Sequence, residues 1–172
     1  MPLTTLDIKE PGLNVLPPGV ERHVVNAGGL TGLQIFPDDE IEIINEEGNQ
    51  ICEIICFDKD GKSELGILNQ KENCKKSFIK ELLKGKDESS LITNLQLKKR
   101  NLDINKSKSS ILFDEQTPSG EKIKIKSKDK CYVIFAAPQN NMLVSEQNPS
   151  SDLTLFILSL IHISEPTRQN QI

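Results

Sequence analysis

Residues 33–57 read LQIFPDDEIEIINEEGNQICEIICF, and this stretch decides the fold class. Residues 40–44 alternate polar and apolar side chains, so that an extended chain would point them to opposite faces. Residues 49–57 are more continuously apolar, as expected of a strand that is covered on both sides. Turn-forming residues at 37–39 and 46–49 separate these segments. The stretch therefore predicts three short strands joined by tight turns into a meander.

Four further segments predict strands outside this stretch. Residues 19–25 form the first of them, and residues 64–68 form a weak one. Residues 131–137 and 153–157 are short apolar runs flanked by polar or turn residues, which is the pattern of buried strands.

Apolar residues at helical spacing predict one or two helices around residues 74–97. The first helix brings four apolar side chains to one face: Phe78, Ile79, Leu82 and Leu83. Asn73 is its expected N-cap and Gly85 its expected C-terminal stop. A second apolar segment covers residues 91–97. We therefore expect a mainly β (α+β) fold, a small antiparallel barrel or sandwich with one or two inserted helices.

A lysine stands at every second position in one segment, at Lys122, Lys124, Lys126, Lys128 and Lys130. In a strand this spacing puts the lysines on one face and Ile123 and Ile125 on the other. Such a face can bind phosphate or acidic groups. It can also be a solvated face whose charges protect a sheet edge from pairing with another chain, and we favour this second interpretation.

Charge and composition argue against several classes of protein. The 172 residues carry a net charge of -4 at pH 7, which gives no reason to expect nucleic acid or an anionic membrane as a partner. Residues 1–7 contain neither a basic region nor an apolar run, so no secretory signal is predicted and the cytoplasm is the expected location. Aromatic residues make up only 4% of the chain, which predicts a small core that packs against another domain.

The cysteines and histidines form no recognisable catalytic or metal-binding pattern. The four cysteines, Cys52, Cys56, Cys74 and Cys131, contain no CxxC pair and are expected to be free, partly buried thiols. A zinc site would need more ligands, and His23 is distant in sequence. We therefore predict no catalytic residue and no metal ligand in this chain.

Residues 158–172, LSLIHISEPTRQNQI, resemble the in-frame translation of a transposase adapter used in short-read DNA sequencing. We therefore expect residues 158–172 to be a non-native, adapter-derived tail, and residues 1–157 to be a β-rich N-terminal domain from a longer protein. On this interpretation Ile157 lies at a truncated edge with exposed apolar surface. The apolar run 153–163 is too short for a membrane span, which needs roughly 20 residues.

Two segments together resemble a known family. Residues 27–57, with PDDEIEIINEEGNQICEIICF, resemble the glycine–Asp–x–apolar–x–apolar opening and the Glu-Gly-x-Gln turn of the urea carboxylase-associated (DUF1989-type) domain. Residues 131–157, CYVIFAAPQNNMLVSEQNPSSDLTLFI, resemble the closing strand and Pro-Gln-Asn turn of such domains. The whole run 11–157 is similar to the N-terminal region of fusion proteins in which such domains precede a glycine-cleavage T-protein-like aminomethyltransferase.

This resemblance implies a non-catalytic accessory domain of a folate-dependent, aminomethyltransferase-like enzyme of one-carbon or amine catabolism. Tetrahydrofolate would bind the parent protein outside this fragment, and the downstream domains of the same chain would be the partners. The turn places Asn49 at the variable position and Gln50 at the glutamine, with Glu53 near a position where the family tends to be acidic. These three residues are the candidate ligand-binding residues, for a small amine or carboxylate.

Two alternatives stay open beside this interpretation. Asn49 and Gln50 can simply complete the turn. The chain can also be a free-standing β-domain that binds a small molecule or an interaction partner.

Overall fold

The computed structural model describes residues 19–74, 77–139 and 150–159. This part of the chain contains strands β1 Val20–Val25, β2 Leu30–Ile35, β3 Glu40–Asn45, β4 Cys52–Asp58, β5 Ser109–Phe113, β6 Glu121–Lys126, β7 Cys131–Ala136 and β8 Leu153–Leu158. Between β4 and β5 lie the helices α1 (Phe78–Leu82) and α2 (Glu88–Lys99) and the 3-10 helices Leu65–Leu68 and Ile104–Lys106.

The strands form two four-stranded antiparallel sheets that pack face to face. One sheet has the order β1-β8-β3-β6 and the other has the order β2-β7-β4-β5. The chain changes sheet at every connection between strands except the one from β4 to β5, which is the winding of an eight-stranded jelly roll. The predicted mainly β, antiparallel fold is confirmed, and it is the sandwich rather than a closed barrel.

The three strands predicted within residues 33–57 are present as β2, β3 and β4, but the predicted meander is wrong. β2 and β4 lie in one sheet, separated by β7, while β3 lies in the other sheet between β8 and β6. The turn between β2 and β3 is closed by the N–H of Asp39, which donates to the carbonyl of Phe36 at 3.1 Å. A turn of this composition can close a hairpin or carry the chain to the facing sheet, and its sequence does not distinguish the two.

Residues 64–68, predicted as a weak strand, form the 3-10 helix Leu65–Leu68 instead. The carboxylate of Glu64 accepts the N–H of Gly66 at 3.0 Å and starts this turn. Asn69 ends it in the left-handed conformation, with φ of 58°. Hydrogen bonds at both ends of this turn therefore favour the 3-10 helix over the strand that the short apolar pattern predicts.

The start of α1 also differs from the prediction. Ser77 is the N-cap, and its hydroxyl accepts the N–H of Lys80 at 3.3 Å. Asn73, the predicted cap, uses its side-chain oxygen to accept the N–H of Ile111 in β5 at 2.7 Å. Gly85 lies just beyond the helix, as predicted, and its N–H donates to the carbonyl of Leu82 at 3.0 Å.

Apolar side chains of both sheets fill the space between them, among them Leu33, Ile41, Ile43, Ile54, Val133, Phe135 and Leu155. Cys52, Cys56 and Cys131 lie in the same core, Cys74 is half-buried, and none of these four described thiols forms a disulfide. β8 is an interior strand, paired with β1 and β3. Ile157 is therefore fully buried, and its predicted place at an exposed edge is wrong.

The lysine face predicted for residues 122–130 lies in solvent. β6 is an edge strand, and Lys122, Lys124 and Lys126 are exposed while Ile125 is buried in the core. The Lys124 ammonium lies 3.9 Å from the Glu42 carboxylate on the neighbouring strand. This arrangement agrees with the interpretation of the lysines as a solvated face at a sheet edge.

The two α-helices cover the outer face of the β2-β7-β4-β5 sheet. Ile79 of α1 packs there in a second apolar cluster with Ile55, Phe57, Tyr132 and Ile134. No helix in the described residues is long and apolar enough to cross a membrane.

The side chains of α2 are distributed in the opposite sense to those of an ordinary amphipathic helix. Its buried residues are Ser90, Thr93, Gln96 and Leu97. Its large apolar side chains point outward, with Leu91 56%, Ile92 48% and Leu95 51% exposed. The helix therefore presents a mostly polar side to the sheet and an apolar side to solvent.

The N-cap of α2 should make a pH-dependent contribution to stability. The Asp87 carboxylate accepts the hydroxyls of Ser89 and Ser90, each at 2.7 Å, and the N–H of Ser90 at 3.3 Å. These hydrogen bonds, that of Ser89 foremost, lower the pKa of Asp87 from its ordinary value of 3.8. The stabilisation is therefore present above pH 3.8 and is lost as the pH falls through the lowered pKa.

We predict that Asp87→Ala lowers the free energy of unfolding by about 1 kcal/mol at pH 7, because the cap is lost. The difference from the wild type should shrink as the pH falls from 3.8 through the lowered pKa of the folded protein, where the Asp87 carboxylate takes up a proton. Asp87→Asn is the control, since asparagine caps without titrating. Urea denaturation at pH 7 and pH 3 measures both variants, and an Asp87→Ala cost that is equal at the two pH values would contradict the prediction.

Candidate functional site

The structure separates the three residues predicted to bind a ligand. Asn49 is exposed in the turn between β3 and β4, with φ of 59°, and its N–H donates to the carbonyl of Thr117 at 2.8 Å. Gln50 and Glu53 are both fully buried. Their side chains bind different parts of the protein, so the three residues do not converge on one site.

Gln50 ties together three segments of backbone. Its Nε2 donates to the carbonyls of Ile51 at 2.9 Å and Pro138 at 2.7 Å. Its Oε1 accepts the N–H of Ser151 at 2.8 Å. Both N–H donors of the amide are therefore used within the protein, as they would be in a structural role.

Glu53 holds the start of α1. Its Oε2 accepts the Ser77 hydroxyl at 2.6 Å, and its Oε1 accepts the N–H groups of Phe78 at 2.7 Å and Ile79 at 3.2 Å. Hydrogen bonds to an ionised acceptor are stronger than neutral ones, which offsets the cost of burying the carboxylate. These contacts account for a buried acid on the helix-covered face of β4.

A different polar cluster lies where the C-terminal end of α2 passes over β2 and β7. Arg100 Nη1 donates to Gln34 Oε1 at 2.7 Å, and its guanidinium carbon lies 4.4 Å from the centroid of the Tyr132 ring. Gln34 and Tyr132 are direct partners across the β2–β7 pair, so their side chains share one face of the sheet. Gln34 Nε2 also donates to the carbonyl of Cys131 at 2.9 Å. We call Gln34, Arg100 and Tyr132 the α2 cluster.

The Tyr132 ring reaches across β2 and ends over Gly32. A Cβ atom at Gly32 would overlap the Tyr132 hydroxyl, so only glycine leaves room for the ring here. Tyr132 is 5% exposed, and its hydroxyl has no hydrogen-bond partner among the described residues. Burial raises the pKa of Tyr132 to about 12, against the opposing effect of the nearby Arg100 charge. The hydroxyl therefore keeps its proton at neutral pH.

Two clefts flank the Tyr132 ring. The first has a volume of about 330 Å³ and is lined by Gln34, Asp58, Asp60, Arg100, Lys130 and Tyr132, among others. The second has a volume of about 250 Å³, lies between α2 and β2, and is lined by Thr31, Gly32, Ser89, Thr93, Gln96 and Tyr132, among others. Each cleft has room for a small molecule and offers several polar side chains to it.

Two of the core thiols, Cys52 and Cys56, are poor candidates for nucleophiles, whereas a hydrogen bond with Cys56 lowers the pKa of Cys131. Burial, with the charge of Glu53, raises the pKa of Cys52. Hydrogen bonding with Cys131, together with burial, raises the pKa of Cys56. Both side chains therefore stay protonated. Within the described residues, no group of three or more His, Cys, Asp or Glu side chains is placed to hold a metal ion.

Sequence reasoning misses the α2 cluster. Tyr132 is the single tyrosine of the chain, but it stands inside an apolar run that predicts a buried strand. Arg100 ends a basic run at residues 98–100, and Gly32 belongs to a glycine-rich segment. Positions 34, 100 and 132 are too far apart in sequence for any spacing rule to connect them, so only the fold brings them together.

We predict that Glu53→Ala lowers the free energy of unfolding by about 3 kcal/mol, because buried donors at the start of α1 lose their acceptor. Glu53→Gln keeps one carbonyl oxygen and should cost less. Asn49→Gly, at an exposed position with positive φ, is the control and should stay within about 0.5 kcal/mol. Chemical denaturation measures all three variants, and unchanged stability of Glu53→Ala would favour a ligand-binding role for Glu53 over a structural one.

Comparison with known proteins relates the chain to part of a large enzyme. The chain is 33% identical over 150 residues to trimethylamine-oxide aldolase of Ruegeria pomeroyi. The match covers 87% of this chain and 19% of that protein, so the chain spans about a fifth of the length of this relative. No protein-family model matches the chain, and the resemblance to the urea carboxylase-associated domain stays a prediction. The chain is thus similar to one segment of a much longer enzyme.

Proposed function

We propose that this chain is an accessory domain of a larger enzyme that acts on small methylated amines or their oxides. The observation that carries this proposal is the similarity over 150 residues to a segment that makes up 19% of trimethylamine-oxide aldolase. A segment of this size is a typical single domain. The jelly roll has its own core between the two sheets, as an independent domain requires.

In this proposal the catalytic residues and tetrahydrofolate belong to a downstream, aminomethyltransferase-like module, as the sequence resemblance implies. The side chains at the α2 cluster support a binding role for the present domain. A guanidinium, a carboxamide and a phenol bind and orient polar molecules. The phenol keeps its proton at neutral pH, and the buried Cys52 and Cys56 thiols are not activated as nucleophiles.

The second candidate is a free-standing small-molecule-binding β-domain. The two clefts beside Tyr132 favour it, because they supply binding sites without any further module. Reading the natural gene beyond the codon for Ile157 separates the two candidates. The accessory-domain proposal expects a reading frame that continues into an aminomethyltransferase-like module, whereas a stop codon soon afterwards would favour the free-standing domain.

We predict that the purified chain neither consumes trimethylamine oxide nor transfers aminomethyl groups. The longer enzyme, meaning the proposed full-length protein that contains this chain, should consume trimethylamine oxide. Loss of the substrate, followed by proton NMR spectroscopy, measures the first activity for both proteins at equal concentration. Circular dichroism verifies that the isolated chain is folded in the same sample. Turnover by the chain alone would show that the chemistry resides here and would overturn the accessory role.

We further propose that the apolar side of α2 contacts the remaining modules of the same polypeptide. Leu91, Ile92 and Leu95 form a contiguous exposed patch, with Glu88 and Lys98 exposed on the same helix. A helix that buries small polar residues and exposes its large aliphatic ones is suited to a partner on its outer side. The related enzyme is about five times longer than the matched segment, which makes its other modules the expected partner.

We predict that Leu91→Lys combined with Leu95→Lys lowers the melting temperature or the activity of the longer enzyme. The same pair of changes should leave the stability of the isolated chain nearly unchanged, because both side chains are about half exposed there. Lys99→Gln, an exposed change on the same helix, is the control. If the isolated chain sediments as a dimer that the double variant dissociates, a second copy of the chain is the partner and the proposal is wrong.

A further inference from the structure

Four side-chain oxygens are buried without a hydrogen-bond partner among the described residues: Asn45 Oδ1, Tyr132 Oη, Ser151 Oγ and Ser159 Oγ. Tyr132 differs from the other three because it lines the two clefts described above. A buried hydroxyl without an acceptor is costly, and phenylalanine would fill the same space without that cost. An acceptor that enters from a cleft would remove the penalty.

The position of Gly32 relates the buried Tyr132 hydroxyl to the second cleft. The hydroxyl lies over Gly32, which lines the cleft between α2 and β2 but not the cleft at the end of α2. The ring is held in this position by the Arg100 guanidinium above it, and Arg100 is held in turn by Gln34. The hydroxyl is therefore fixed in place before any ligand arrives, which lowers the entropic cost of binding.

The Tyr132 hydroxyl shares this cleft with other polar groups, among them the Asn26 and Gln96 amides, and some of the others are engaged within the protein. The Thr93 hydroxyl donates to the Ser89 carbonyl at 2.8 Å, and the Ser89 hydroxyl donates to the Asp87 carboxylate at 2.7 Å. Gln96 uses its oxygen to accept the Arg100 Nε–H at 3.4 Å, so its amide nitrogen is the group left for the cleft. The ligand should accordingly present an oxygen acceptor to these donors.

The remaining walls restrict the rest of the ligand. Val24, Leu30 and Ile92 offer apolar surface of the kind that methyl groups contact. Glu88, also part of the lining, places a carboxylate at the cleft, which favours a positive charge on the ligand and disfavours a net negative one. The cleft volume of about 250 Å³ suits a molecule of a few heavy atoms.

We propose that the cleft between α2 and β2 binds a small methylated amine oxide, with the ligand oxygen accepting the Tyr132 hydroxyl and its cationic nitrogen near Glu88. This inference rests on the proposed function for the choice of substrate class. The site itself rests on the buried hydroxyl and the cleft. No covalent step is involved, and the cleft holds the ligand for the rest of the enzyme.

Titration of the purified chain with trimethylamine oxide, followed by amide chemical shifts in NMR spectra, tests the proposal. We expect saturable shifts at residues of the cleft, and about tenfold weaker binding for Tyr132→Phe, which keeps the ring and removes one hydrogen bond. Glu88→Gln should also weaken binding, whereas Glu81→Gln on α1, outside the cleft, is the matched control. Chemical shifts are preferred to melting temperatures because amine oxides stabilise folded proteins non-specifically.

Each other outcome has a definite meaning. Equal or tighter binding of acetate would overturn the amine oxide as the ligand class, and binding that Tyr132→Phe leaves unchanged would overturn the site. If no saturable binding is seen and Tyr132→Phe is at least as stable as the wild type, the Tyr132 hydroxyl hydrogen-bonds to water alone. The proposed ligand site would then be wrong. That result would leave the accessory-domain proposal standing if the gene continues into a catalytic module, so the two can fail separately.

Discussion

The β2-β7-β4-β5 sheet is covered on both faces, by the facing sheet on one side and by α1 and α2 on the other, and this constraint governs the rest of the structure. Any polar side chain on the helix-covered face must find a partner within the protein or give up hydration without compensation. Glu53 accepts hydrogen bonds from the start of α1, and Gln34 accepts one from Arg100. Tyr132 finds no acceptor among the described residues, although its neighbours hold it firmly in place. The same rule thus explains two structural contacts and singles out one functional candidate.

Whether a strand is covered on one side or on both is the part of the fold that the sequence predicts best. Residues 40–44 alternate because β3 has one solvent-facing side, and residues 52–57 are nearly all apolar because β4 is buried on both sides. The connectivity is not predictable in the same way. Side-chain periodicity reports which face is buried, whereas the order of strands in a jelly roll depends on contacts between distant parts of the chain.

The candidate sites show the same difference between what a local sequence pattern predicts and what contacts between distant residues decide. A turn motif with an amide and an acid next to it predicts a ligand site at Asn49, Gln50 and Glu53, yet tertiary contacts engage the buried two in holding backbone segments. The α2 cluster depends on a close approach between Gly32 and Tyr132 and on a helix that passes over both strands. The apolar segment 91–97 illustrates the limit of pattern reading, because the helix is present but its largest apolar side chains face away from the sheet.

The interior position of β8 has a consequence for how the domain forms during synthesis. β1 and β3 do not pair with each other, since β8 lies between them and pairs with both. Until β8 has emerged from the ribosome, the β1-β8-β3-β6 sheet therefore lacks an interior strand, and β1 lacks the only neighbour that it has among the described residues. Closure of this sheet waits for β8 to emerge, which delays native folding and leaves the edges of β1 and β3 open to other nascent chains in the meantime.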